Sequence, residues 1–160
     1  MITEKGKFKT KWIVKKHFNH KDFLGNKPYE VSLIDGNLLL NEGIAEMWDL
    51  IIGAAATAFN NANARIGVGD SATAADATQT DLQAATNKAY VGMESGFPSR
   101  SGQTVTFRSI FDGSTANYAW NEFAVDNGAT DGMGMNRKVS AQGTKASGQV
   151  WTVDVEITLS

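Results

Sequence analysis

The sequence predicts a mainly β protein, an antiparallel β-sandwich or jelly-roll-like domain, on the strength of three observations. Apolar and polar residues alternate in several segments, which is typical of strands with one buried and one solvated face. Turns rich in glycine separate these segments at short spacing. Only one segment has the apolar spacing of an amphipathic helix. A chain of 160 residues supports one core, so we expect a single domain, 1–160.

The first strand lies in the lysine-rich segment 1–30, which we expect to form a basic N-terminal hairpin or arm. From Lys7 to Phe18 the even positions are mostly apolar and the odd positions mostly lysine, and Tyr29–Ile34 is predicted to be the partner strand. Residues 1–27 hold eight lysines against two carboxylates, a local balance of +6, whereas the remainder has a balance of −8. This polarity favours head-to-tail docking between copies, or docking on an acidic neighbour.

We therefore predict that lysines of this segment dock a partner. The alternative is a solvated face that discourages unwanted edge pairing. A protein partner is favoured over nucleic acid, because the lysines lie on a predicted strand and no nucleic-acid-binding signature accompanies them. The predicted docking residues are Lys7, Lys9, Lys11, Lys15 and Lys16.

One short amphipathic helix is predicted at about residues 43–52, with Asn41 as N-cap and Gly53 as the stop. A helix this short is marginal in isolation, so we expect its apolar stripe to pack in the core rather than to form an interaction groove. The stripe consists of Ile44, Met47, Trp48, Ile51 and Ile52.

The rest of the chain alternates between strands and polar connections. Asp70–Ala85 is rich in Ala, Thr and Asp, so we expect an ordered surface loop that adds nothing to the core. The clearest strand is the last, where Trp151, Val153, Val155 and Ile157 share one face. The predicted strands in this part of the chain are 64–69, 88–93, 104–111, 117–126, 136–140 and, as the last, 149–159.

No residue spacing in the chain is typical of a catalytic or metal site. There are no cysteines, which excludes a disulfide framework and a thiolate site. Gly67–Asp70 lacks the lysine of a phosphate-binding loop and predicts a tight turn. His17 and His20 lie among lysines, which oppose cation binding, and Asp126 and Asp131 lack the ligand spacing of a calcium loop. We therefore predict no enzyme, no cofactor and no bound metal.

Glu122 is the most informative carboxylate, because it lies in the aromatic segment 118–123. Alternation places it on one face with Tyr118 and Trp120, and a buried carboxylate there needs a cation. We predict a structural salt bridge, for which the candidate partners are Arg108, Arg137 and Lys138. The residues predicted to have structural roles are Trp48, Trp120, Glu122, Arg137 and Trp151.

An ordered series of short motifs covers residues 37–160. In chain order they are Asn37–Gly43, Ile66–Ser71, Thr104–Arg108, Ala116–Phe123, Asn136–Val139, Gly143–Lys145 and Val150–Leu159. In these motifs the sequence resembles a family of virion structural proteins of tailed bacteriophages. The resemblance implies a component of the particle, either a head decoration protein or a tail or fibre protein.

The resemblance and the charge pattern together favour a capsid decoration or cement protein located on the virion and assembled in the host cytoplasm. We expect it to bind copies of itself, as a trimer or a ring, and the major capsid protein or tail proteins. A tail, baseplate or fibre-attachment protein is the alternative. A third hypothesis is a glycan-binding module that uses Tyr90, Phe97, Tyr118 and Trp120. No segment is long and apolar enough for a membrane span.

Overall fold

A computed structural model describes residues 6–129 and 132–160, and it confirms the mainly β prediction. Two antiparallel five-stranded sheets pack face to face as a β-sandwich. The helices are α1 (His20–Leu24) and α2 (Asn41–Ile52). The strands are β1 (Phe8–His17), β2 (Glu30–Asp35), β3 (Leu38–Leu39), β4 (Arg65–Gly69), β5 (Lys88–Gly92), β6 (Ser99–Ser101), β7 (Thr104–Phe111), β8 (Glu122–Asp126), β9 (Gly134–Val139) and β10 (Val150–Leu159). Sheet A has the order β2-β1-β10-β7-β6, and sheet B has the order β3-β9-β8-β4-β5.

The core lies between the two sheets and is built on aromatic side chains. The Trp120 ring is 4.8 Å from both the Phe111 and the Trp151 rings, with edge-to-face geometry in each case. Trp12 and Phe123 extend this cluster. Such contacts add about 0.5–1.5 kcal/mol per pair to the burial of the rings themselves. Trp120 and Trp151 therefore lie in contact at the centre of the core.

From Phe8 onward the lysine-rich segment forms the hairpin rather than a free arm. β1 pairs antiparallel with β2 on one side and with β10 along its whole length on the other. The connection between β1 and β2 contains α1, which sequence analysis did not predict. This one-turn helix begins where the Asn19 side chain accepts a hydrogen bond from the Asp22 amide at 2.9 Å.

Gly67 and Gly69 lie within β4 and do not form the predicted turn. A Cβ atom on Gly67 would lie 2.3 Å from the Tyr90 ring, and one on Gly69 would lie 2.4 Å from the Glu122 carboxylate. Neither distance is compatible with a side chain. The two glycines are therefore explained by the close approach of neighbouring side chains, not by turn geometry.

The predicted strand 117–126 begins only at Glu122. Before it, Ala116 has a positive φ of 55°, and the chain up to Asn121 is irregular. This interrupts the alternation, so Trp120 points into the core while Glu122 lies on the opposite, outer face of sheet B. The predicted shared face of Trp120 and Glu122 is therefore wrong.

Candidate docking surfaces and a polar cleft

Helix α2 exposes most of the apolar stripe that was predicted to be core. We use the term α2 stripe for Ile44, Trp48, Ile51 and Ile52, whose exposed fractions are 37%, 60%, 71% and 73%. Met47 alone of the predicted set turns inward, where it lines an apolar groove of about 150 Å³ with Phe8, Met135 and Leu159. The core assignment of the stripe, and of Trp48 in particular, is wrong.

Helix α2 presents the opposite face to the one predicted, because its polar side contacts sheet B. A Cβ atom on Gly43 would lie 2.5 Å from the Met135 Cα of β9, so the helix and strand backbones touch. Glu46 is buried and accepts hydrogen bonds from the Thr57 amide at 2.6 Å and from Asn127 Nδ2 at 2.9 Å. A glycine and a glutamate three residues apart share a helix face. In the sequence, this pair was the signal for the side of α2 that contacts sheet B.

The N-cap of the helix also lies one residue earlier than predicted. Its N-cap is Leu40, which makes no side-chain capping bond, and Asn41 is already the first helical residue. Glu42 instead accepts the Gly134 amide of β9 at 2.6 Å, which fastens the first turn to sheet B. At the other end Gly53 has a φ of 73° and stops the helix as predicted.

A second apolar surface lies on the outer face of sheet A. Val31 and Leu33 of β2 are 48% and 62% exposed, and their cross-strand neighbours on β1 are Lys15 and Ile13. We call these four residues the β1–β2 face. β2 pairs only with β1 and is an edge strand of sheet A, so its apolar side chains border an open row of backbone groups.

The lysine row consists of the lysines in β1 and of Lys7, which immediately precedes the strand, and its members differ in exposure. Lys7 and Lys9 are exposed and Lys15 is half-buried, while Lys11 stands between Asp35 and Glu156 in the registers with β2 and β10. Within residues 6–129 and 132–160, salt bridges of β1 lysines are confined to Lys16. The part of the lysine row least compensated by carboxylates is therefore Lys7, Lys9 and Lys15.

Lys16, one of the predicted docking residues, holds its ammonium inside the fold. Its side chain is buried, and its ammonium donates to Glu30 Oε1 and to the Gln142 carbonyl, both at 2.7 Å. The Nζ atom also lies 4.9 Å from the centre of the Trp151 ring. Alternation places residue 16 on the apolar side of β1, and a cation there is held by hydrogen bonds and ring contact instead of meeting a partner.

The loop of residues 70–87 lies on the outer face of sheet B and is held there by a buried ion pair. Arg137 Nη2 is 2.7 Å from Glu122 Oε2, and both side chains are fully buried. Glu122 also accepts the amides of Gln83 and Ala84 at 2.9 and 2.7 Å. Arg137 donates to the Thr73 carbonyl at 2.9 Å. Arg137 is thus the partner among the three that the sequence allowed.

A polar cleft of about 350 Å³ opens beside this loop, between Arg65, Asp81, Tyr90 and Asp126. Asp126 binds the Arg65 guanidinium through two hydrogen bonds of 3.0 and 2.6 Å, and that guanidinium lies 4.9 Å from the Tyr90 ring. Burial would raise the pKa of Asp81, but hydrogen bonds from Lys88 and Tyr90 outweigh it and lower that pKa. Burial and the bond to Asp81 raise the pKa of Tyr90. Each charged group in the cleft thus has a partner within it.

Three of the four aromatic residues proposed for glycan stacking have a ring that is buried or has a guanidinium over it. Trp120 is fully buried in the core. Arg108 lies 4.5 Å from the Phe97 ring, Arg65 lies over Tyr90, and the Tyr118 hydroxyl donates to the Val68 carbonyl at 3.1 Å. A sugar platform needs an accessible ring face. Trp120 is therefore not accessible to a sugar, and a guanidinium lies over the ring of Phe97 and over that of Tyr90.

The candidate metal ligands are dispersed. His17 is buried under α1, with Nδ1 3.1 Å from the Val150 carbonyl, whereas His20 is exposed. Asp126 is bound to Arg65, and Asp131 lies outside the described residues. Across the part of the chain that the structure describes, no three His, Cys, Asp or Glu side chains gather in a metal-binding arrangement.

Comparison with protein-family models, with curated proteins and with solved structures found no match to this chain. Neither α1 nor α2 has the length and apolar character needed to cross a bilayer, and no other helix occurs in residues 6–129 and 132–160.

Proposed function

We propose that this chain is a structural protein of a tailed-phage particle, and specifically a decoration protein that docks on the assembled capsid. The observation that carries the proposal is the exposure of the large apolar side chains of Val31 and Leu33 on a well-packed sandwich, at the β1–β2 face. Apolar patches of this kind mark surfaces that other proteins cover. The sequence resemblance to virion structural proteins supports the same class.

The lysine row gives the docking surface its polarity. Lys15 lies directly opposite the exposed Val31, and Lys7 and Lys9 lie further along the same row, beyond the part of β1 that pairs with β2. A partner that fits here therefore combines acidic side chains with an apolar patch. Charged groups at the rim of an interface raise the association rate and select the partner, while the apolar centre supplies most of the affinity. On a particle, many copies repeat this contact, and modest single affinities are multiplied by avidity when copies are linked.

Particle binding by charge-deleted variants tests the proposal. Replacing Lys9 and Lys15 with alanine should raise the dissociation constant for purified particles at least tenfold at low salt, and salt should weaken wild-type binding steadily. The matched control replaces Lys21 and Lys27, two exposed lysines off the β1–β2 face, and should bind as wild type. Wild-type binding that is indifferent to ionic strength would remove the lysine row from the proposal.

Location on the particle separates the two virion hypotheses. Gold or fluorescent labelling should find the protein on the head. Labelling confined to the tail would replace the decoration role with a tail, baseplate or fibre-attachment role, and absence from purified particles would overturn the virion assignment.

A further inference from the structure

We infer that the α2 stripe binds a second copy of this chain, with the two α2 helices packed antiparallel across a twofold axis. The inference deepens the proposed function, because it names the contact through which copies of the structural protein would pair. The β1–β2 face lies on sheet A, whereas α2 packs on β9 of sheet B. The surface used for pairing is therefore separate from the one proposed for the particle.

The size of the stripe matches one partner's share of an ordinary protein interface. With the exposed fractions above, its four side chains present on the order of 500 Å² of apolar surface, if a large apolar side chain offers about 200 Å². A standard interface buries roughly 800 Å² on each partner, a little over half of it apolar, which is about 450 Å². The stripe alone is thus sufficient for the apolar part of a stable dimer.

The charges around the stripe point to an uncharged partner surface. Residues 41–64 contain no basic residue, and their three acidic residues are Glu42, Glu46 and Asp49. Glu42 is bound to the Gly134 amide, and Glu46 is buried. Of these three carboxylates, Asp49 is the one that makes no side-chain hydrogen bond within the described residues. A strongly acidic or basic partner gains little here, whereas a second α2 stripe offers an apolar surface of equal size.

The stripe is also complementary to itself. In an antiparallel pair centred on Trp48, facing residues have numbers that add to 96. Ile44 then faces Ile52 of the other copy, Ala45 faces Ile51, and the two Trp48 rings meet at the axis. A small residue opposite a large one lets two helices approach closely, as ridges enter grooves. All three of these facing pairs are apolar.

Solution mass is the first test, made on the purified full chain without particles. Light scattering after size exclusion at about 50 µM should show a dimer. Trp48→Glu should be monomeric while its far-ultraviolet circular dichroism stays that of wild type, because Trp48 is largely exposed and contributes little to the core. The matched control Leu33→Glu places the same charge on the β1–β2 face and should remain dimeric. A monomeric wild type, or a Trp48→Glu dimer, would overturn the inference.

Cysteine crosslinking tests the register with no background, because the chain contains no cysteine. The double variant Ile44→Cys with Ile52→Cys should form disulfide-linked dimers under mild oxidation, and neither single variant should. Two positions eight residues apart on one helix are about 12 Å apart, too far for a disulfide within one chain. Crosslinking by Ile44→Cys alone would refute the antiparallel pairing. If these tests fail, the predictions for particle binding still stand. If the protein is absent from particles, the inference of a dimer still stands.

Discussion

Glu122 and Arg137 form a fully buried ion pair, with 2.7 Å between Glu122 Oε2 and Arg137 Nη2. The pair belongs to sheet B, yet its remaining hydrogen bonds go to the 70–87 loop. A low-complexity loop that cannot build a core is thus held by two charged side chains of the strands beneath it. The relationship explains how Ala- and Thr-rich sequence stays ordered on the outer face of the sandwich.

The Glu122→Gln variant should lose about 3–5 kcal/mol of unfolding free energy, because it leaves the Arg137 guanidinium buried without its counter-charge. Urea unfolding followed by tryptophan fluorescence measures the loss. The amides of Gln83 and Ala84 should exchange hydrogen faster, since their acceptor is weakened.

The double variant Glu122→Leu with Arg137→Met separates charge from anchoring. Its global stability should be closer to wild type than that of Glu122→Gln, because no buried charge is left unpaired. The Gln83 and Ala84 amides should still exchange quickly, because no carboxylate accepts them. Unchanged exchange at these two amides in both variants would show that the ion pair does not hold the loop.

Replacing Gly43 with alanine should destabilise the protein, although the same change in a free helix stabilises it by about 1 kcal/mol. The new Cβ atom would lie 2.5–2.7 Å from backbone atoms of β9, and backbone cannot move aside as a flexible side chain can. We expect a loss of about 1–3 kcal/mol, as in other overpacked contacts, measured by urea unfolding.

Ala45→Gly is the matched control for this prediction. Ala45 is exposed on the same turn, so its replacement should cost only the helix propensity of about 1 kcal/mol. A Gly43→Ala protein as stable as wild type or more so would mean that α2 does not rest on β9 by backbone contact.

The strands were predictable because alternation is a local signal. β1, β4, β7 and β10 lie within one or two residues of the predicted segments, since each has one face in the core and one outside. The irregular segment before Glu122 was not predictable, because the positive φ of Ala116 leaves no mark in the apolar pattern. The two-residue β3 and three-residue β6 are too short to show a period.

The candidate surfaces were harder to predict, because periodicity shows which residues share a face and not what that face meets. The α2 stripe has the spacing of a core-facing helix, yet Gly43 and Glu46 make the contact with the sheet. Burial of a glutamate on that side depends on Thr57 and Asn127, which are distant in sequence and reach it only in the fold. For Lys16, by contrast, no distant residue is needed: alternation along β1 alone places it on the inner side of the strand.

Acid should weaken the fold partly through Asp112. Hydrogen bonds from the Ser114 hydroxyl and amide and from the Thr115 hydroxyl lower the pKa of Asp112 to about 2. An unfolded aspartate has a pKa of about 3.9, so the folded state prefers the ionised form. That contribution is fully present above pH 3.9 and is lost as the pH falls towards 2.

The Thr115→Val variant checks this assignment, because it removes the hydroxyl that donates to Asp112 Oδ1 at 2.9 Å. The pKa of Asp112, followed by carboxyl chemical shift, should rise towards its ordinary value. The acid-induced loss of stability between pH 4 and 2 should become shallower. An unchanged titration of Asp112 in this variant would assign the low pKa to other causes.

Lys16 and Lys9 lie on the same strand and should respond to substitution in opposite ways. Lys16→Met keeps the apolar stem but leaves the half-buried Gln142 carbonyl without its donor at 2.7 Å, which should cost about 1–3 kcal/mol in urea unfolding. Particle affinity of the folded protein should not change, because no part of the ammonium reaches a partner. Lys9→Ala should leave stability within about 0.5 kcal/mol and weaken particle binding instead. If Lys16→Met weakened particle binding without lowering the free energy of unfolding, Lys16 would have to become exposed when the protein docks.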